Sequence, residues 1–131
     1  MRILSIVWYK VLPPIYGGQK GIALFNQYLA RHADITCLCS RDNQDSVPYR
    51  LIPELPVGKR QFFNPSCWSL IRKTAREQQS THIILEHPYH GIGAVKAIKD
   101  TGARLVVHSH NIESVRFRQL GKPGWQLLAQ Y

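Results

Sequence analysis

Three observations predict a doubly wound α/β domain built on a mostly parallel sheet. Short apolar runs at residues 3–8, 35–39, 82–86 and 104–109 alternate with segments whose apolar residues recur at helical spacing. The first run passes into a helical segment through Pro13-Pro14-Ile15-Tyr16-Gly17-Gly18, a strand-to-helix joint. With 131 residues, 44% of them hydrophobic, the chain has material for one such core and no second domain.

The elements follow in order. The run at 3–8 reads as a buried strand, and Ile22, Phe25 and Leu29 mark the inner face of a helix from about Gln19 to His32. Ile35-Thr36-Cys37-Leu38-Cys39 is the second strand, closing a β-α-β unit. Residues 41–49 are mostly polar and read as a loop. Arg50-Leu51-Ile52, between Pro48 and Pro53, reads as a short edge strand, and its short connection leaves its direction open.

Residues 53–63 read as loop until Asn64-Pro65 supplies a cap and a proline at the first helical position. In the helix that follows, Trp68, Ile71 and Ala75 form the expected buried stripe, and Arg72, Lys73 and Arg76 gather opposite. His82 to Glu86 is the next strand, left through the polar loop of residues 87–91. A short helix with Ile92, Val95 and Ile98 inward is stopped by Gly102. After the strand at 104–109, Asn111 is a candidate helix cap, Gly121 a stop, and Pro123 opens an amphipathic segment with Trp125 and Leu128.

Composition bounds the partners. A net charge of +9 and a pI near 9.8 point to anions: phosphorylated metabolites, an acidic membrane surface or nucleic acid, the last without any motif for specific recognition. Cys37, Cys39 and Cys67 are odd in number, which favours a reduced, cytoplasmic thiol set. The apolar start is broken by Lys10 and two prolines, so it reads as neither a signal peptide nor a spanning helix, while the Arg72 cluster leaves room for peripheral docking on the inner membrane face.

In a sheet of order 3-2-1-4-5, right-handed crossovers bring all strand ends to one edge, with the switch point between the first and fourth strands. The glycine loop, residues 86–90 and residues 110–113 then share one crevice. Gly18, Gln19 and Lys20 would present their N–H groups at a helix N-terminus, a place suited to phosphate. Four histidines, His87, His90, His108 and His110, fall at the same edge. One reading of them is a zinc site of His108 and His110 with His87, His90 or Glu86, as in a zinc-dependent hydrolase, although the spacing fits no zinc motif.

The opening Met-Arg-Ile-Leu-Ser-Ile-Val, the Pro-Pro-Ile-Tyr-Gly-Gly loop, Leu29-Ala30-Arg31-His32 and the later Val-Val-His-Ser-His-Asn-Ile-Glu-Ser resemble the N-terminal domain of group-1 (family 4) glycosyltransferases of the GT-B fold. In that family two Rossmann-like domains face each other across a cleft, the N-terminal one holding mainly the acceptor and the C-terminal one mainly the nucleotide-sugar. The resemblance implies that Gly17 and Gly18 meet the donor diphosphate, and that His110 lines the reaction centre as the catalytic histidine. Gln19, Lys20, His87, Tyr89, Asn111, Glu113 and Arg116 would then lie on the acceptor side. It implies transfer with retained configuration from a nucleotide-sugar to a hydroxyl acceptor, with no metal and no further cofactor.

The donor-binding half, with the family's paired-glutamate motif, has no counterpart in this sequence. The expectation is therefore a truncated acceptor-side domain spanning residues 1–131, inactive alone and partnered by a missing C-terminal domain. A standalone, flavodoxin-like anion-binding module is the alternative of a different class.

Overall fold

Alternate residues of the first strand bury on opposite faces, and this double burial sets the architecture. The computed structural model of the protein describes residues 1–109. In β1 (Arg2–Val7), Leu4 and Ile6 join one apolar cluster while Ile3 and Val7 belong to clusters on the other face. A strand apolar on both sides must be covered on both sides, which a parallel sheet flanked by helices achieves. The remaining elements complete the sheet and cover it: α1 (Gly17–Leu29), β2 (Asp34–Ser40), β3 (Arg50–Leu55), α2 (Pro65–Glu77), β4 (His82–Glu86), α3 (Gly91–Thr101) and β5 (Arg104–His108).

The sheet has five strands, all parallel, in the order β3-β2-β1-β4-β5. This is the Rossmann-like doubly wound arrangement, with its switch point between β1 and β4. Ile22 and Ala23 of α1 pack on Val7, Cys37 and Cys39, while Cys67, Ile71 and Ala75 of α2 and Ala94 and Ala97 of α3 pack on Leu4, Ile6, Leu38, Ile83 and Leu85. The three cysteines are free and buried. The Cys37 thiol is pushed well above the usual thiol range, first by its hydrogen bond with Cys39 and then by burial.

Several boundaries differ from the sequence expectation. The edge strand β3 runs parallel to β2 and continues through Pro53 to Leu55, with a register shift at Cys39/Ser40. An extended chain gains roughly 3.3 Å per residue, so the segment between β2 and β3 can return across the sheet without a helix. Val47 and Tyr49 pack on the α1 side as it does so. Pro53 is tolerated because an edge strand can turn its missing donor away from the ladder. Within the expected loop at 53–63, Lys59–Phe63 forms a short 3-10 turn. α1 begins at Gly17 rather than Gln19, and its last helical residue is Leu29 rather than His32.

The inner face of α3 is also corrected. Ile92 and Val95 are exposed, at 48% and 42%, whereas Gly93, Ala94 and Ala97 are buried and Ile98 packs on the core from the side. Small residues let α3 approach α2 closely, and apolar spacing alone does not distinguish a small-residue face from a large-residue one. A Cβ built on Gly93 would lie 2.8 Å from Ile71 Cδ1 and 3.3 Å from Trp68 Cα. α2 itself starts as expected, with the Asn64 side chain accepting from Ser66 N–H at 2.9 Å and Pro65 in the first turn. Gly102, at φ 70°, ends α3 as expected.

The close α2–α3 contact gives a direct test. Overpacking costs about 1–3 kcal/mol and the better helix propensity of alanine offsets about 1 kcal/mol of it at most. Gly93→Ala should therefore lower stability by about 1 kcal/mol in urea denaturation. Equal or greater stability would contradict the packing described.

Candidate functional site at the carboxyl ends of the strands

The loop that leaves β1 is held by side-chain amides. Asn43, buried just beyond β2, accepts through Oδ1 from the N–H groups of Val11 (2.7 Å) and Leu12 (2.9 Å) and donates through Nδ2 to the carbonyls of Tyr9 and Ser40 and to Ser40 Oγ. One side chain thus satisfies two backbone donors that would otherwise be buried without partners. Gln19 completes the fastening from the helix side. Its Oε1 accepts from Ile15 and Tyr16 N–H at 2.8 and 3.0 Å, and its Nε2 donates to the Lys10 carbonyl at 2.9 Å.

This geometry revises which amides lead into α1. The amide of Lys20 is already bonded to the Tyr16 carbonyl at 2.9 Å, so the leading amides of α1 are those of Gly17 and Gly18. Gln19 lines the loop, but its side-chain amide is committed to the chain at both ends. Lys20 is exposed, beside that turn. Neither Gly17 nor Gly18 has a positive φ, and a Cβ on either would meet nothing within 4 Å. The fold itself therefore does not require glycine at these two positions.

Across the switch point, the segment after β4 is packed with rings. Trp8 meets Phe62 and Tyr89 edge-on at 5.1 and 5.4 Å, and Phe62 stacks on Tyr89 at 4.9 Å with an interplanar angle of 16°. His87 (φ 75°) is buried between Tyr9 and Tyr89, at ring separations of 6.0 and 5.9 Å. The structure thus brings the glycine loop, His87 and Tyr89 to one edge, as the topology requires. His87 sits within the wall of that edge, and Tyr89 is half-buried in it.

Below this wall His90, one of the histidines expected at this edge, pairs with Gln61, which the sequence did not single out. Gln61 Nε2 donates to the carbonyls of Trp8 and Gly58, both at 2.9 Å, leaving Oε1 to accept from His90 Nε2 at 3.0 Å. The neutral ring therefore carries its proton on Nε2, an assignment made from the hydrogen-bond network. Its buried Nδ1 has no partner among the described residues, and burial lowers the His90 pKa to about 4. Glu86 and His108 face each other in register across β4 and β5, with Oε2 and Nδ1 2.9 Å apart, and the His108 ring lies 4.5 Å from Phe25. Glu86 is buried, so this pair joins the sheet to α1 beneath the crevice.

His110, Asn111, Glu113 and Arg116 lie outside the described residues, as do the helix expected from Asn111, its end at Gly121 and the segment opened by Pro123. Among the described residues, no group of three or more His, Cys, Asp or Glu side chains converges as metal ligands. His90 is engaged with Gln61, and His108 with Glu86. Asn43 and Gln61 were not legible as site residues, because each sits in a stretch whose spacing carries no signal. No protein-family model matches the chain, and no curated protein sequence matches it.

His90 gives the site a pH signature. Its folded-state pKa lies below that of the unfolded chain, so protons bind preferentially to the unfolded state as pH falls from about 6.5 toward 4. Stability should decline over that window by up to about 3 kcal/mol. His90→Gln should remove this part of the decline, read as the difference between the two proteins' denaturation midpoints against pH. Parallel profiles would contradict the buried neutral ring.

Proposed function

We propose that this domain is the acceptor-side half of a retaining, nucleotide-sugar-dependent glycosyltransferase, acting with a second domain that holds most of the nucleotide. The observation that carries the reading is the pair Gly17-Gly18. Two adjacent glycines open a helix at the switch point of a doubly wound sheet, where neither backbone angle nor packing calls for a missing side chain. Absence of side chains there leaves room for a ligand to approach the backbone, and a helix N-terminus favours an anionic group such as a diphosphate. The resemblance in the β1–α1 loop and in the stretch from Val106 to Ser114 supplies the choice of ligand.

In the proposed reaction the bond between the sugar's anomeric carbon and the diphosphate oxygen breaks. The acceptor oxygen bonds to that carbon on the same face, and the acceptor's proton passes to the departing phosphate. The chain's part is to position the acceptor and to stabilise the charge that develops on the diphosphate. Gly17 and Gly18 offer N–H groups for that charge, and His110 would orient sugar and acceptor. The wall formed by His87, Tyr89 and Trp8 would border the acceptor.

The test is a Gly17→Ala/Gly18→Ala double variant, compared with the parent for binding of a panel of nucleoside-diphosphate hexoses by saturation-transfer NMR. Alanine is the better helix former by about 1 kcal/mol, so the melting temperature should hold or rise. Affinity for the nucleotide-sugar should fall at least tenfold, and neither protein should turn it over alone. Unchanged affinity in the double variant, or turnover by the isolated chain, would overturn the reading.

A further inference from the structure

At the opposite edge of the sheet, a cleft of about 830 Å³ opens between the amino ends of β1, β4 and β5 and the carboxyl ends of α2 and α3. We propose that this cleft is a second binding site, which takes a phosphate group through Arg2, Arg76 and Arg104. It uses different residues at the opposite edge of the sheet and so stands independently of the glycosyltransferase reading.

The frame of the cleft is built around Thr81. Its hydroxyl accepts from Arg2 N–H at 3.1 Å and donates to the Arg2 carbonyl at 3.0 Å, its own N–H donates to that carbonyl at 2.9 Å, and its carbonyl accepts from Arg104 N–H at 2.9 Å. Thr81 therefore fixes the backbones from which Arg2 and Arg104 project. Arg2 is held further by its Nε, which donates to the Gln79 carbonyl at 2.9 Å and leaves the outer guanidinium nitrogens for a ligand. Arg76 enters the same cleft from the last turn of α2.

Charge decides what fits. Among the described residues, no carboxylate lies within ion-pair distance of Arg2, Arg76 or Arg104. The acidic group of the lining, Asp100, is bound in a two-point contact by Arg72 at 2.7 and 3.2 Å, and Glu77 nearby pairs with Lys73. The two helix ends contribute about half a negative charge each, which three arginines exceed. Guanidinium groups match phosphate oxygens in a planar, two-point geometry. Ser80, buried in the lining, adds a hydroxyl with no partner among the described residues. The cleft is open and polar, so binding through it should weaken as salt screens the arginines.

A phosphate could belong to a soluble metabolite or to a lipid headgroup, and the experiment separates the two. Inorganic pyrophosphate is titrated calorimetrically into the full chain at low salt, and the chain is co-sedimented with vesicles of phosphatidylcholine containing phosphatidylglycerol. The Arg2→Gln/Arg104→Gln variant is compared with a charge-matched control, Arg41→Gln/Arg60→Gln, whose arginines lie away from the cleft lining. The cleft variant should lose at least tenfold in pyrophosphate affinity with its thermal melt preserved, while the control stays within about twofold of the parent, a margin set by bulk charge screening. Vesicle binding lost in the same variant identifies a headgroup as the source, and vesicle binding absent from the parent identifies a soluble phosphate. No pyrophosphate binding by the parent, or equal losses in both double variants, would overturn the site.

Discussion

The side chain of Asn43 is the point on which the carboxyl edge of this sheet depends. It holds the Val11 and Leu12 amides, the Tyr9 carbonyl and the exit of β2 in one buried network. A loop between a strand and a helix cannot be buried unless its backbone groups find partners. Asn43 supplies them from a neighbouring strand exit, Gln19 from the first turn of α1, and Gln61 from the segment before α2. Each is a neutral amide, able to donate and accept at once without adding charge to the interior. The consequence is a loop whose course is fixed while the two glycines that follow remain uncovered.

The sheet's two edges present opposite backbone dipoles for one topological reason. Parallel strands place every helix N-terminus that follows a strand at one edge and every helix C-terminus at the other. At the first edge, backbone amides lead into the crevice beside the buried Glu86 and the aromatic wall of Trp8, Phe62 and Tyr89. At the second, the helix ends bring carbonyls, and Arg2 and Arg76 lie against them. Positive charge is thus needed at the second edge to balance helix ends, and its surplus there is what the cleft offers to an anion.

Much of this was legible in the sequence. The alternation of strands and helices and the Asn64 cap follow from apolar runs, turn residues and capping chemistry, which act locally, while the observed strand order and switch point match an order that was assumed for the doubly wound class. What escaped was set by packing between distant segments. Ile92 and Val95 read as inward because large apolar residues dominate a spacing argument, yet Gly93, Ala94 and Ala97 form the face that α2 can approach. The parallel direction of β3 depended on an extended return path that carries no periodic signal. Asn43 and Gln61 look like ordinary polar loop residues, and only the fold reveals which backbone groups they meet. Gln19 was legible as the opening of the first helix, but its commitment to Lys10, Ile15 and Tyr16 was not.

Asn43 fixing the loop, with the Gly17 and Gly18 amides left for a ligand, has a residue-by-residue signature in amide hydrogen exchange, measured with and without a nucleotide-sugar. Val11 and Leu12 should exchange slowly in both conditions, while Gly17 and Gly18 should exchange rapidly alone and slow down on adding the nucleotide-sugar. Fast exchange at Val11 and Leu12, or glycine amides unaffected by the nucleotide-sugar, would contradict it.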